Sequence, residues 1–185
     1  LAVEYSVDNL TGLGKLYADE IMAIAPEGPL FLGGNCQGGL VMREAGLALM
    51  RLGRTVALTI LMEQGRFPHY PGRTLLLFGA GSYLNPYGQI DAPEQIFRAA
   101  YPGGHRVDIL PGAHGTYFAP GNVDALADII SRHMAQGFEA VLASYSRAGA
   151  DQYAWVDGGG HPVLWASLVM NVGLAIYSRA EGCHA

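Results

Sequence analysis

One stretch of this chain carries residues able to do covalent chemistry: Leu30-Phe31-Leu32-Gly33-Gly34-Asn35-Cys36-Gln37-Gly38-Gly39. A short apolar run ends in Gly-x-Cys-x-Gly, and a helical pattern begins at once behind it. This is the nucleophile-elbow arrangement G-x-S-x-G, with cysteine in place of serine. The physics asks for glycine on both sides. A Cβ at Gly34 or Gly38 would crowd a nucleophile held on a tight strand-to-helix turn in strained backbone. Such a turn lifts the Cys36 sulfur clear of a sheet and aims it at a helix N-terminus, where the dipole favours negative charge. The backbone N–H of Gln37 then faces a developing oxyanion. The same pentapeptide also suits a glycine-rich turn around a small buried cysteine, so the downstream residues decide.

A cysteine nucleophile needs a base, and the base needs an orienting group. In a parallel sheet both come from loops at the carboxyl ends of later strands. The apolar run Val56–Met62 delivers Glu63 at its tip. The run from Arg106 to Leu110 leads into Pro111-Gly112-Ala113-His114-Gly115, which places His114 on a loop just past a strand end. The order nucleophile, acid, histidine is the one α/β-hydrolases use. Asp91 and Asp108 are fallback acids, Asp91 the better because it follows a strand at Thr74–Phe78. The other histidines are weaker candidates: His105 flanks a Gly-Gly turn, His133 lies late on an amphipathic helix, and His69 sits between two prolines.

The elements that must position these residues are legible from periodicity. Leu10, Leu13, Tyr17, Ile21 and Ile24 recur at helical spacing over 7–24, ended by Pro26. Gly12 and Gly14 weaken the first turns of that helix. A buried strand over 29–34 precedes the elbow, and a helix over about 38–52 follows it. Val56 to Met62 is near-continuous apolar sequence, as in parallel strands buried on both faces. A strand at 74–78, a helix at 92–101 opened by Pro93, a strand at 106–110 and a helix from Asn122 to about Gln136 complete the alternation. Strands alternating with helices predict a parallel α/β sheet.

After Gly137 the character changes. Gly158-Gly159-Gly160 separates a predicted helix over 138–148 from an apolar stretch at 162–177, which is read as a buried helix because it is too short to span a membrane. The reading is thus two parts: a core over 1–136 and a C-terminal helical segment over 137–185 of unknown role. Trp155, Trp165 and Met170 read as packing residues. His161, Cys183 and His184 share no metal-ligand spacing.

The 185 residues, half of them hydrophobic, suffice for one sizeable core, and 26 glycines are about twice the usual share, as suits many tight turns. A net charge of −5 with no basic cluster argues against nucleic acid. Two cysteines make neither a disulfide framework nor a metal quartet, so the expected setting is a reduced cytoplasm. Leu1-Ala2-Val3-Glu4 lacks the features of a signal peptide, and without an initiator Met the chain reads as part of something longer.

The run Pro26-Glu27-Gly28-Pro29-Leu30 through Gly39 resembles the elbow of the thioesterase domains that end nonribosomal peptide and polyketide synthetases, roughly "peGPy-L-G-x-S-x-GG". Leu52-Gly53-Arg54-Thr55-Val56 is similar to their "L-x-G-x-x-V" entry to the next strand, whose end carries the family's acid. Glu63 falls there, where the family more often has Asp. Pro111-Gly112-Ala113-His114 resembles their histidine loop. The resemblance covers residues 6 to 135. It implies an α/β-hydrolase-like, mostly parallel sheet, with the family's N-terminal strands and helical lid missing or reduced. The strands that would precede residue 1 include the loop donating the second oxyanion N–H.

The implied activity is a Cys36–His114–Glu63 thioesterase with Gln37 N–H in the oxyanion hole. It needs no cofactor of its own, because the substrate rides on the phosphopantetheine of an upstream carrier-protein domain. No nucleic acid or membrane partner is expected. A thioester at Cys36 keeps more of the acyl group's activation than an oxygen ester, and family members with this swap are associated with β-lactam and β-lactone closure. Release by cyclisation is therefore the expectation, with hydrolysis beside it. Two rivals remain open from sequence: a cysteine acyltransferase of the hydroxyalkanoate-synthase kind, and a non-catalytic module in which Cys36 is merely buried.

Overall fold

The computed structural model describes residues 7–147, 163–169 and 172–178. Helix α1 (Val7–Ile24) leads into β1 (Leu30–Asn35), α2 (Gln37–Arg51), β2 (Val56–Met62) and β3 (Thr74–Gly79). Helix α3 (Pro93–Ala100), β4 (His105–Leu110), α4 (Val123–Arg147), β5 (Val163–Val169) and β6 (Val172–Ser178) follow. The sheet order is β4-β3-β2-β1-β5-β6. All neighbours pair in parallel except β5 and β6, which are antiparallel.

Alternation along the strands explains why both faces are apolar. Leu75 and Leu77 of β3 and Phe31 of β1 pack with Leu126, Met134 and Val141 of α4. The intervening Leu76 and Phe78 face Phe97 and Ala100 of α3, while Leu30 and Leu32 meet Ala18 and Ile21 of α1 and Leu49 of α2. Helices α1, α2 and α3 thus cover one face and α4 the other.

One glycine that looks like a helix weakness in sequence is a packing requirement. A Cβ on Gly14 would lie 2.3 Å from Glu44 Cβ and 2.7 Å from the Glu44 carbonyl carbon, so α1 and α2 cross with their backbones nearly touching. Gly137 does not end the last helix. It lies inside α4, where a Cβ would sit 3.2 Å from Phe31 Cε1. The predicted boundary at 136/137 and the separate helix over 138–148 are therefore corrected to one continuous helix. The helix read over 162–177 is also corrected, to two strands. A short apolar run rich in Val, Leu and aromatics satisfies either period, and Val169 and Val172 face each other in register. His161, Cys183, His184, Trp155 and Met170 lie outside the described residues.

The connection from β2 to β3 is unusual for a parallel pair, which is most often crossed by a helix. Residues 63–73 hold none. Tyr70 fills the space instead, fully buried, with its hydroxyl 2.7 Å from Thr59 Oγ1 and its N–H donating to the Ala100 carbonyl at 2.8 Å. Burial pushes the Tyr70 phenol up to about 12, the Thr59 hydrogen bond opposing.

The α1–α2 crossing sets up a test with opposite signs. Gly12 has open space around it, so Gly12→Ala should raise stability by about 0.5–1 kcal/mol through helix propensity. Gly14→Ala should lower it by about 1–3 kcal/mol through overpacking. Urea midpoints at constant slope check both, and equal shifts would contradict the close crossing.

Candidate active site

Cys36 sits between β1 and α2 at φ 52°, ψ −124°, a region almost reserved for glycine, costing about 1–3 kcal/mol. The surrounding contacts over-determine it. Its N–H donates to the Met62 carbonyl at 2.8 Å, and its carbonyl accepts from Gly39 N–H at 3.1 Å and from Gln64 Nε2 at 2.6 Å. A Cβ on Gly34 would fall 2.4 Å from the Gly38 carbonyl carbon, which is the crowding the elbow motif anticipates. Gly39 answers to another constraint: its Cβ would lie 2.3 Å from Gln64 Nε2. The Cys36 side chain makes no capping bond to α2 and is half-buried. Gln37 is the first residue of α2, where N–H groups lack intrahelical partners.

Glu63 also has a left-handed backbone, at φ 55°, immediately after β2. Its side chain is fully buried. A buried carboxylate is costly unless it is hydrogen-bonded, and this one accepts from the two loops that follow β3 and β4. Oε1 takes Gly79 N–H at 2.8 Å and the Tyr117 hydroxyl; Oε2 takes the Ser82 hydroxyl and His114 Nδ1 at 3.1 Å. With Nδ1–H donating to the carboxylate, Nε2 is the imidazole nitrogen with an open lone pair. His114 is partly exposed, and the Tyr83 ring lies 5.3 Å from it, centroid to centroid, tilted by 60°. Gly112 (φ 97°) and Gly115 (φ 84°) allow the loop its turn on either side of His114.

The structure thus brings Glu63 and His114 into contact. It sets Cys36 beyond β1, at the edge where β2 ends, with the Cys36 N–H bonded to the residue before Glu63. The fallback acids are engaged or remote. Asp108 pairs with His133 Nε2 at 2.5 Å, and Asp91 is exposed in the turn before α3. His105 pairs with Glu94 at 3.2 Å, and His69 gives its carbonyl to Arg43. Among the described residues no group of three or more His, Cys, Asp or Glu is arranged to hold a metal, and no helix is long and apolar enough to cross a membrane. Sequence reading missed Ser82, Tyr117 and Gln64. Gln64 adjoins Glu63 and Tyr117 follows His114 by three positions, but nothing in residue type or spacing marks their partners.

No family model matches the chain. Over 90 residues it is 44% identical to polyketide synthase 1 of Metarhizium brunneum (strain ARSEF 3297), a match that takes in 47% of this chain and only 4% of that protein. Among solved structures, the NocB thioesterase domain in covalent complex with a fluorophosphonate nocardicin G analog superposes with a TM-score of 0.57. The identity is 22%, over 68% of this chain and 74% of the other. The surfactin-cyclising thioesterase domain SrfTE superposes with a TM-score of 0.53 at 20% identity, over 71% of this chain and 76% of the other. The fold is α/β-hydrolase-like. In that fold Cys36, Glu63 and His114 follow strands of one parallel sheet at its carboxyl edge, where loops gather catalytic groups.

The geometry separates the candidate acids by experiment. Glu63→Gln should slow turnover of an acyl-pantetheine thioester by about 10² to 10⁴, and Asp91→Asn should leave it within about twofold. Steady-state rates of the two variants check this, and the reverse ranking would move the acid to the loop after β3.

Proposed function

We propose that this chain is a terminal thioesterase of a nonribosomal peptide or polyketide synthetase. In this reading it takes an acyl chain from a carrier-protein pantetheine onto Cys36 and releases it by intramolecular cyclisation. The observation that carries the reading is the Glu63–His114 hydrogen bond, which leaves His114 Nε2 open at the sheet edge that also bears a strained, half-buried cysteine.

In the first half-reaction His114 Nε2 takes the proton from Cys36 Sγ, and the sulfur attacks the thioester carbonyl. The oxyanion forms against the N–H of Gln37. The bond to pantetheine sulfur then breaks, and His114 returns the proton to the departing thiol. In the second, His114 accepts the proton of an amine or hydroxyl within the acyl chain as that atom attacks the carbonyl. The carbon–Sγ bond breaks, and Sγ regains a proton. Glu63 holds Nδ1–H throughout and steadies the imidazolium. No protein-bound cofactor enters. The partner is an upstream carrier domain, and the setting is the reducing cytoplasm, where a free thiol persists.

The match to a polyketide synthase and the likeness to NocB and SrfTE support a synthetase context. Hydrolysis is the second reading, favoured by a specific observation: residues 63–73 carry no helix to cover the site, and His114 is partly exposed. Water exclusion protects a reactive acyl-enzyme, so an open site suits hydrolysis. A hydroxyalkanoate-synthase-like activity would instead consume hydroxyacyl-CoA, and a binding module would not label with a thiol probe near neutral pH.

Cys36→Ser tests why sulfur is used. If ring closure is the task, the serine variant should still be acylated, more slowly, and should then stall or shift toward hydrolysis. The ratio of cyclic to hydrolysed product on one carrier-bound substrate decides, and an unchanged ratio would leave a plain hydrolytic thioesterase.

A further inference from the structure

Two loops from separate parts of the chain, those after β3 and β4, converge on the carboxylate of Glu63, and two of the groups they bring are hydroxyls that take no direct part in the reaction above. Each hydroxyl has its direction fixed by a second bond. Tyr117 Oη accepts from Gly79 N–H at 3.0 Å, so its own proton goes to Glu63 Oε1. Ser82 Oγ accepts from Leu84 N–H at 3.0 Å, so its proton goes to Glu63 Oε2, the oxygen that also holds His114. Both side chains are buried. The arrangement is tightly built: a Cβ on Gly79 would lie 2.7 Å from Tyr117 Oη and 2.8 Å from the Gly112 carbonyl oxygen. The end of β3 must therefore be glycine for the tyrosine to reach the acid.

Glutamate has one more torsion than aspartate, and its backbone here leaves β2 at a positive φ. Nothing covalent keeps its carboxylate against His114. From this we infer that Tyr117 and Ser82 are positioning residues, which hold Glu63 charged and aligned on His114 Nδ1. The inference rests on the thioesterase reading and adds two residues to it. Among the described residues His114 and Tyr117 are the titratable groups bonded to Glu63. Burial, and next the bond to Glu63, push the Tyr117 phenol well above its usual range, so it stays a donor.

The test is the pH profile of Cys36 alkylation by iodoacetamide, together with kcat and KM for an acyl-pantetheine thioester, in Tyr117→Phe, Ser82→Ala and their double variant. A buried carboxylate stripped of two donors holds its charge less readily. The acidic limb of the profile should therefore move to higher pH in the double variant. The fall in kcat should be roughly tenfold, in the range typical for lost outer partners of an oriented imidazole, with KM unchanged. In a Glu63→Gln background the same substitutions should change neither, because they act through that carboxylate. Ser82→Ala removes a single hydroxyl and keeps the test usable should Tyr117→Phe fold poorly. If wild-type Cys36 labels but the profile stays put in the variants, or the losses persist beside Glu63→Gln, this inference is overturned alone. A wild-type Cys36 that does not label overturns the thioesterase reading with it.

Discussion

A fully buried carboxylate is the constraint to which the upper edge of this protein answers. Glu63 is 1% exposed, and an unpaired charge in that position would be shed or would unfold its surroundings. The chain meets the demand with loops from the ends of β3 and β4, supplying Gly79 and Ser82 from one and His114 and Tyr117 from the other. Meeting it fixes more than the charge. It sets the tautomer of His114, requires glycine at 79, and docks the His114 loop against the sheet through Tyr117. Below this layer the core is ordinary packed aliphatic and aromatic material, alternating between α4 on one face and α1, α2 and α3 on the other.

A second constraint meets the first at the end of β2. Cys36 adopts a backbone conformation that a non-glycine residue avoids, and its peptide groups are tied to Met62 and to the Gln64 side chain. Glu63 lies between those two residues. The turn that presents the sulfur and the turn that presents the acid are therefore one hydrogen-bonded unit, and strain at Cys36 is supported by the same strand end that buries the carboxylate. Local strain of this kind persists only where its surroundings over-determine it.

Much of this was legible in sequence because it is local. The elbow glycines, the apolar run of β2 and the helical spacing of α1 each follow from a periodicity or a steric rule that a few neighbouring residues express. Glu63 and His114 could be singled out as candidates because Glu63 directly follows β2 and His114 lies on the loop just past β4. Ser82 and Tyr117 were not, because their role depends on β3 and β4 lying beside β2, and no short-range pattern records that adjacency. The strands β5 and β6 were read as a helix, since a short apolar run satisfies either period once its burial is unknown. Gly14 was read as a helix weakness and Gly137 as a helix end; the first is a place where α1 approaches α2 too closely for a Cβ, and the second lies inside α4 in tight contact with Phe31.

The central claim is that the sulfur of Cys36 becomes covalently acylated. Intact-protein mass spectrometry after incubation with an acyl-pantetheine thioester, followed by peptide mapping, measures this directly. The account predicts one acyl group per chain, on the peptide containing Cys36 and removable by hydroxylamine. An unmodified protein, or an adduct carried only on Cys183, would contradict it.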